Sequence, residues 1–228
     1  METGRYVKMP RSTESRHRYV PWGSHEMSQE ALAAFGRADA LQSALGLTPA
    51  VGVKIAAIIS FAGGIEYHLE RALWRIRSID PKGTTPDTDA RMITDLITML
   101  ESAAAAQADG ERQLLQLWCA AARSGFTIRH NIAHGVPMRI GGALAYMRNP
   151  RWEGEQRKRE FGDFWAEDNT LDLVREAMAT LLRIIATLSK DDDLSAVATQ
   201  PALRALRAAR SVLGEFASQT YNPSYEKY

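Results

Sequence analysis

The sequence predicts an all-α fold, an up-down helical bundle with a small β-hairpin inserted after one of its helices. Three observations predict it. Apolar residues recur at three- and four-residue spacing through most of the chain, the period of a helix that buries one face. That pattern is punctuated by glycine, proline and short polar runs, which suit tight connections between antiparallel helices. Around Gly141-Gly142 the helical period gives way to short apolar runs, and two adjacent glycines supply the positive φ angles of a two-residue hairpin turn.

The elements follow in order. Residues 1–27 are rich in Arg, Ser, His, Pro and Gly and read as a flexible arm. Residues 28–219 read as a single helical domain, and 220–228 as a polar C-terminal tail. Ser28 can cap a first helix that reaches Leu45 and stops at Gly46. Pro49 suits the first turn of a long second helix, with Ile58, Ala62, Ile65, Leu69, Leu73 and Ile76 as its stripe. Gly63-Gly64 lies inside it and points to close packing of another backbone. The loop 80–86 ends it. A third helix is expected from Asp87 or Thr88, with Met92, Leu96, Met99 and Ala103 on one face.

Asp109-Gly110 reads as a break, and a fourth helix is expected from Glu111 through Ile132, with a bend or an interruption at Gly125. Gly135 and Pro137 stop it. Met138–Ile140 and Ala143–Met147 flank the glycine pair as a hairpin, and Phe161–Ala166 suits a third short strand. Asn169 or Thr170 caps a fifth helix on Val174, Ala177, Leu181, Ile184 and Leu188. A sixth runs from Pro201 to Ser218.

Composition bounds the function. At 228 residues, with 45% hydrophobic content, the chain can bury a sizeable core. Its net charge of +1 means that any nucleic-acid contact must come from a local patch. The arm's Arg5, Lys8, Arg11, Arg16 and Arg18 suit RNA, a protein partner or plain solvent. The single cysteine, Cys119, excludes an internal disulfide framework and a cysteine zinc site, and its apolar surroundings point to a buried thiol. No signal-peptide core stands out. The most apolar stretch, Val51–Leu73, carries Lys54, Glu66, His68, Glu70 and Arg71. The expectation is a cytoplasmic protein with no membrane partner and no cofactor.

The segment Arg129-His130-Asn131-Ile132-Ala133-His134-Gly135 carries the chemistry. A fixed cation beside a proton-transfer group suits phosphate-ester cleavage. In RNA the ribose 2′-hydroxyl can itself attack phosphorus. A base takes its proton, an acid protonates the leaving 5′-oxygen, and cationic donors stabilise the charge that develops. Histidine suits the proton transfers and arginine the phosphate. DNA lacks the attacking hydroxyl, so the chemistry is RNA-specific. Helical spacing sets Arg129 and His134 about 140° apart, and His130 and His134 about 40° apart. The arginine must therefore curl round, the helix must end between the two residues, or a second copy of the chain must supply the partner.

The segment resembles the Arg-x4–6-His signature of the HEPN superfamily, in which Asn, Asp or His usually follows the arginine, as His130 does here. The likeness covers roughly residues 30–190. It includes an earlier long helix with an acidic residue in its apolar stripe, here Phe61-Ala62-Gly63-Gly64-Ile65-Glu66. It implies a helical bundle that dimerises with its motifs facing each other, and metal-independent endoribonuclease activity of the kind found in toxins and defence effectors. It casts Arg129 and His134 as the catalytic pair. On this reading His130, Asn131 and Glu66 are expected as the supporting shell, with Asn131 orienting a neighbour or capping backbone carbonyls, and an antitoxin or regulatory protein is expected as a further partner. One toxin branch carries a tyrosine two residues after the histidine, which its antitoxin modifies; here that position is Val136.

Other readings stand beside it. Some HEPN domains are non-catalytic modules that bind a protein or nucleotide. His130 and His134 at i,i+4 can ligate zinc, although no third ligand lies near them in sequence. Glu66 can hold Arg129 or a histidine, or pair with Arg71 or Lys54. Arg148, Arg151, Arg157, Lys158 and Arg159 form the densest basic run, a candidate RNA-binding patch with Tyr146 and Trp152 for base stacking. Trp74 and Trp118 read as core.

Overall fold

The computed structural model describes residues 36–151, 153–190 and 193–218. The chain divides at Ala38, and the elements below belong to the unit Asp39–Tyr228, with the first helix starting at that boundary. Four helices come first: α1 (Ala38–Ala44), α2 (Pro49–Ile76), α3 (Ile93–Ala104) and α4 (Asp109–His134). Strands β1 (Val136–Ile140), β2 (Ala143–Arg148) and β3 (Gly162–Trp165) follow, then α5 (Asp168–Leu188), α6 (Leu194–Val197) and α7 (Gln200–Phe216). The fold is thus mainly helical, with one antiparallel sheet in the order β1-β2-β3. The expected arm and tail, and the expected start of the first helix at Ser28, lie outside the described residues.

The most extensive helix pair is α2 on α5, and α4 packs on α7 and α3. Thr48 caps α2, its Oγ1 accepting the Val51 N–H at 3.3 Å, with Pro49 in the first turn. The stripe Ile58, Ala62, Ile65, Leu69 and Leu73 is fully buried, as its spacing predicts. Lys54 donates to Asp168 at 3.2 Å and to Asp172 at 2.8 Å, tying α2 to the first turn of α5. Helix α2 is also the one described helix long and apolar enough to cross a membrane. Its Val51, Ile55, Ile59 and Phe61 are partly buried against the core, while Val53 and Tyr67 are exposed on its outer side.

Several boundaries depart from the sequence reading, each for a tertiary reason. Helix α3 starts at Ile93, not at Asp87 or Thr88. The Thr88 hydroxyl donates to Glu70 and accepts the Trp74 indole N–H at 2.7 Å, while Asp87 pairs with Arg77. Both residues therefore pin the loop to α2 instead of capping a helix. Asp109-Gly110 opens α4 and does not break the chain. Gly125 causes no interruption. A Cβ there would meet Met178 Sδ at 2.6 Å, so this glycine lets α5 approach α4. Of the glycine pair in α2 only Gly64 is packed, against Leu182, and Gly63 faces open space. Glu167, not Asn169 or Thr170, is the N-cap of α5. The short helix α6, capped by Asp193, was not expected. Trp118 and Cys119 are fully buried as expected, and burial pushes the Cys119 thiol up to about 12. Trp74 is half-buried.

Candidate functional site

Helix α4 runs unbroken to His134, so the motif keeps helical spacing throughout. The His130 and His134 rings accordingly lie side by side, with centroids 4.6 Å apart and planes tilted by 58°. At Gly135 the chain leaves the helix directly into β1. The Gly135 N–H donates to Asn131 O at 2.8 Å, and a Cβ on Gly135 would lie 3.1 Å from Tyr146 Cβ. The absence of a side chain lets the strand start so close to the helix.

The sheet then returns the chain to the helix end. Gly141 and Gly142 have φ of 58° and 91°, the doubly left-handed turn whose twist matches paired strands. Strand β2 ends on Arg148, which lies opposite Gly162 of β3. Asn131, only 2% exposed, holds the three pieces together. Its Oδ1 accepts from Arg148 Nε at 2.9 Å, and its Nδ2 donates to Asp163 O at 2.7 Å. A Cβ on Gly162 would lie 2.6 Å from Asn131 Oδ1 and 2.8 Å from the Arg148 guanidinium. The glycine therefore makes room for the clamp.

The result is a cavity of about 440 Å³ lined by His130, His134, Arg148, Asn149 and Arg159. Two imidazoles and two guanidinium-bearing side chains meet there, and among the described residues no carboxylate lines it. Such a lining suits an anion: guanidinium forks match phosphate oxygens, and imidazoles can move protons. The pKa of His130 is held below the ordinary histidine value. Partial desolvation is the largest cause, followed by the charges of Arg148, His134 and Arg129. At neutral pH the His130 imidazole is therefore neutral and can accept a proton.

The other predicted residues are placed unequally. Arg129 is half-buried and does not line the cavity. Its Nε is buried without a hydrogen-bond partner, and no described carboxylate pairs with it. Glu66, half-buried on α2, does not line the cavity either, and the expected bridges to Lys54 and Arg71 are not made. Lys54 pairs with Asp168 and Asp172, and Arg71 stacks on Tyr67 at 3.4 Å.

Of the basic run, Arg148 and Arg159 reach the cavity. Arg151 instead braces the loop through the carbonyls of Arg157 and Arg159. Arg157 pairs with Glu155 at 3.1 Å, and Lys158 is exposed. Tyr146 is 5% exposed, so it belongs to the core and offers no face to a base. Trp152 lies outside the described residues. Among the described residues no group of three or more His, Cys, Asp or Glu side chains comes together, so the His130–His134 pair gains no third zinc ligand.

Sequence reasoning missed Asn149, the Asn131–Arg148 clamp and Gly162. The strand register that sets Arg148 against Gly162 has no local signature. Asn149 offered one signal: it stands directly before Pro150, a pair that favours a turn, and the structure gives it a left-handed φ of 53°.

Replacing Asn131 with Ala strands the Asp163 carbonyl and the Arg148 Nε–H. It is expected to cost the fold about 1–3 kcal/mol, the penalty for buried polar groups left unpaired. Urea unfolding followed by circular dichroism measures it; a loss below about 0.5 kcal/mol, the range of a neutral surface change, would show that the clamp is not buried as described.

Stability should also depend on His68 and His130. The His68 pKa is likewise depressed, first by burial and then by Lys190 and Arg71. Above the unfolded-state value of about 6.5 both imidazoles are neutral in both states, and stability is full. As pH falls from there through the lower folded values, the unfolded chain binds the extra protons and stability drops. Asp163, whose carboxyl is raised by burial, acts in the opposite sense: its contribution is present below about 3.8 and lost as pH rises. Unfolding midpoints measured between about pH 7 and about pH 5 should therefore fall, and the fall should shrink in a His68→Gln, His130→Gln double variant.

In comparisons with family models, curated proteins and solved structures, nothing matches the chain.

Proposed function

We propose that the protein is a HEPN-like, metal-independent endoribonuclease that works as a homodimer. The observation that carries this reading is the cavity gathering His130, His134, Arg148 and Arg159 at the end of α4. In this mechanism an RNA phosphodiester lies in the cavity. Neutral His130 accepts the 2′-hydroxyl proton as the oxygen attacks phosphorus. His134 gives a proton to the departing 5′-oxygen, and the guanidinium groups stabilise the charge on the phosphoryl oxygens. The products are a 2′,3′-cyclic phosphate and a free 5′-hydroxyl.

Arg129 is the residue that calls for a second subunit. It lies about 140° round the helix from His134, and its guanidinium has no described partner. A second copy can bring its own Arg129 to the histidines. The exposed Val53 and Tyr67 on α2 suit such self-association. Lys158, exposed and next in sequence to Arg159, suits the RNA backbone. The same family likeness makes an antitoxin or regulatory protein a natural partner, and a toxin or defence effector the natural role.

Purified protein incubated with mixed RNAs in excess chelator is expected to yield fragments with 2′,3′-cyclic phosphate ends. Mixing inactive Arg129→Ala and His134→Ala chains should restore part of the activity, because one hybrid site keeps both residues. Wild-type protein that leaves RNA intact would refute the catalytic reading. Nucleotide binding without cleavage would select the alternative, a HEPN-like binding module that uses the same cavity.

A further inference from the structure

We infer that Arg148, locked by Asn131, is the residue that seats the substrate phosphate over the two histidines. This rests on the ribonuclease reading for the identity of the phosphate, but its geometry is independent of Arg129 and of the dimer. Arginine carries two terminal amino groups besides Nε–H. In Arg148 the Nε–H is spent on Asn131 Oδ1 at 2.9 Å, a contact made by a buried side chain. With its inner edge fixed, the guanidinium has little rotational freedom left, and its terminal amino groups make no described ion pair. The same residue lines the cavity with His130 and His134.

Asn131 cannot turn away, because its own Nδ2 is held by Asp163 O at 2.7 Å. Gly162 keeps the space that any Cβ would take from both partners. A cation immobilised in this way gives a phosphate a fixed address and loses little entropy on binding it, the arrangement expected of a positioning group. Arg159, the other cavity arginine, lies on the exposed loop and makes no such buried contact. Arg148 thus sets where the phosphate sits, and Asn131 acts through it.

The test uses the full chain and a single-stranded RNA oligonucleotide made uncleavable by 2′-O-methylation. Arg148→Gln is expected to weaken binding about tenfold and to lower the slope of log affinity against log salt by about 0.7, the loss of one phosphate contact on a single strand. Asn131→Ala should weaken binding and leave the slope unchanged, because the charge stays but is no longer held. Arg148→Lys should restore the slope without restoring full affinity.

If Arg148→Gln fails to fold, the wild-type chain is titrated with inorganic phosphate by NMR. The Arg148 Nε–H and the His130 and His134 ring signals should then shift together along one saturation curve. Histidine shifts without Arg148, or no shifts at all, would overturn the assignment. Unchanged binding and cleavage in Arg148→Gln, beside an active wild type, would overturn it and leave the ribonuclease reading standing. Arg148-dependent binding by a chain that cleaves no RNA would uphold the phosphate seat and remove the catalytic reading.

Discussion

Replacing Trp118 with alanine is expected to cost the fold about 3–5 kcal/mol, the range seen when a large aromatic is deleted from a packed core. Trp118 is fully buried on α4, and its indole N–H donates to Leu181 O on α5 at 3.0 Å. The change therefore opens a cavity between two helices and removes a hydrogen bond that crosses them. Against a total stability of about 5–15 kcal/mol for a typical domain, that loss should move the urea midpoint far to the left. Trp118→Phe keeps much of the ring and gives up the N–H, so a loss of about 1–2 kcal/mol is expected. Equal midpoints for wild type and Trp118→Ala would mean that α4 and α5 do not pack as described. Because α4 also carries the motif, the alanine variant should lose activity only in step with its unfolded fraction.

Replacing His134 with alanine should act in the opposite way. His134 is exposed, and its ring lies against that of His130. Stability should stay within about 0.5 kcal/mol of wild type, as for most surface substitutions. The RNA cleavage rate should nevertheless fall about 10²–10⁴-fold, the usual contribution of a positioned proton donor. Single-turnover cleavage in chelator, run beside a urea melt, separates the two effects. A rate loss matched by a stability loss would point to a structural histidine, and an unchanged rate would remove His134 from the mechanism.

The helices were legible because one-sided burial leaves a period in the sequence. Pro49 marks the start of α2 and Gly135 the end of α4, and the predicted stripe of α2 is buried from Ile58 to Leu73, with Ile76 half-buried. Boundaries failed where a tertiary partner claimed the capping residue, as Glu70 and Trp74 claim Thr88. Gly125 was read as a weak point because its neighbour on α5, Met178, is distant in sequence.

The site was half legible. Helical geometry alone places His130 and His134 on one face and Arg129 on another, and the structure keeps that arrangement. The cations that accompany the histidines are Arg148 and Arg159. The sequence marks them only as members of a basic run. Their arrival depends on the hairpin register and on Asn131, a residue whose buried role no spacing rule reveals.

The central claim is that the His130–His134 cavity cleaves RNA through the substrate's own 2′-hydroxyl, without a metal. The most direct measurement compares one oligonucleotide in its ribo and 2′-O-methyl forms, incubated with the wild-type chain in excess chelator. The account predicts cleavage of the ribo form alone, leaving a 2′,3′-cyclic phosphate. Cleavage of both forms, or of neither, would contradict it.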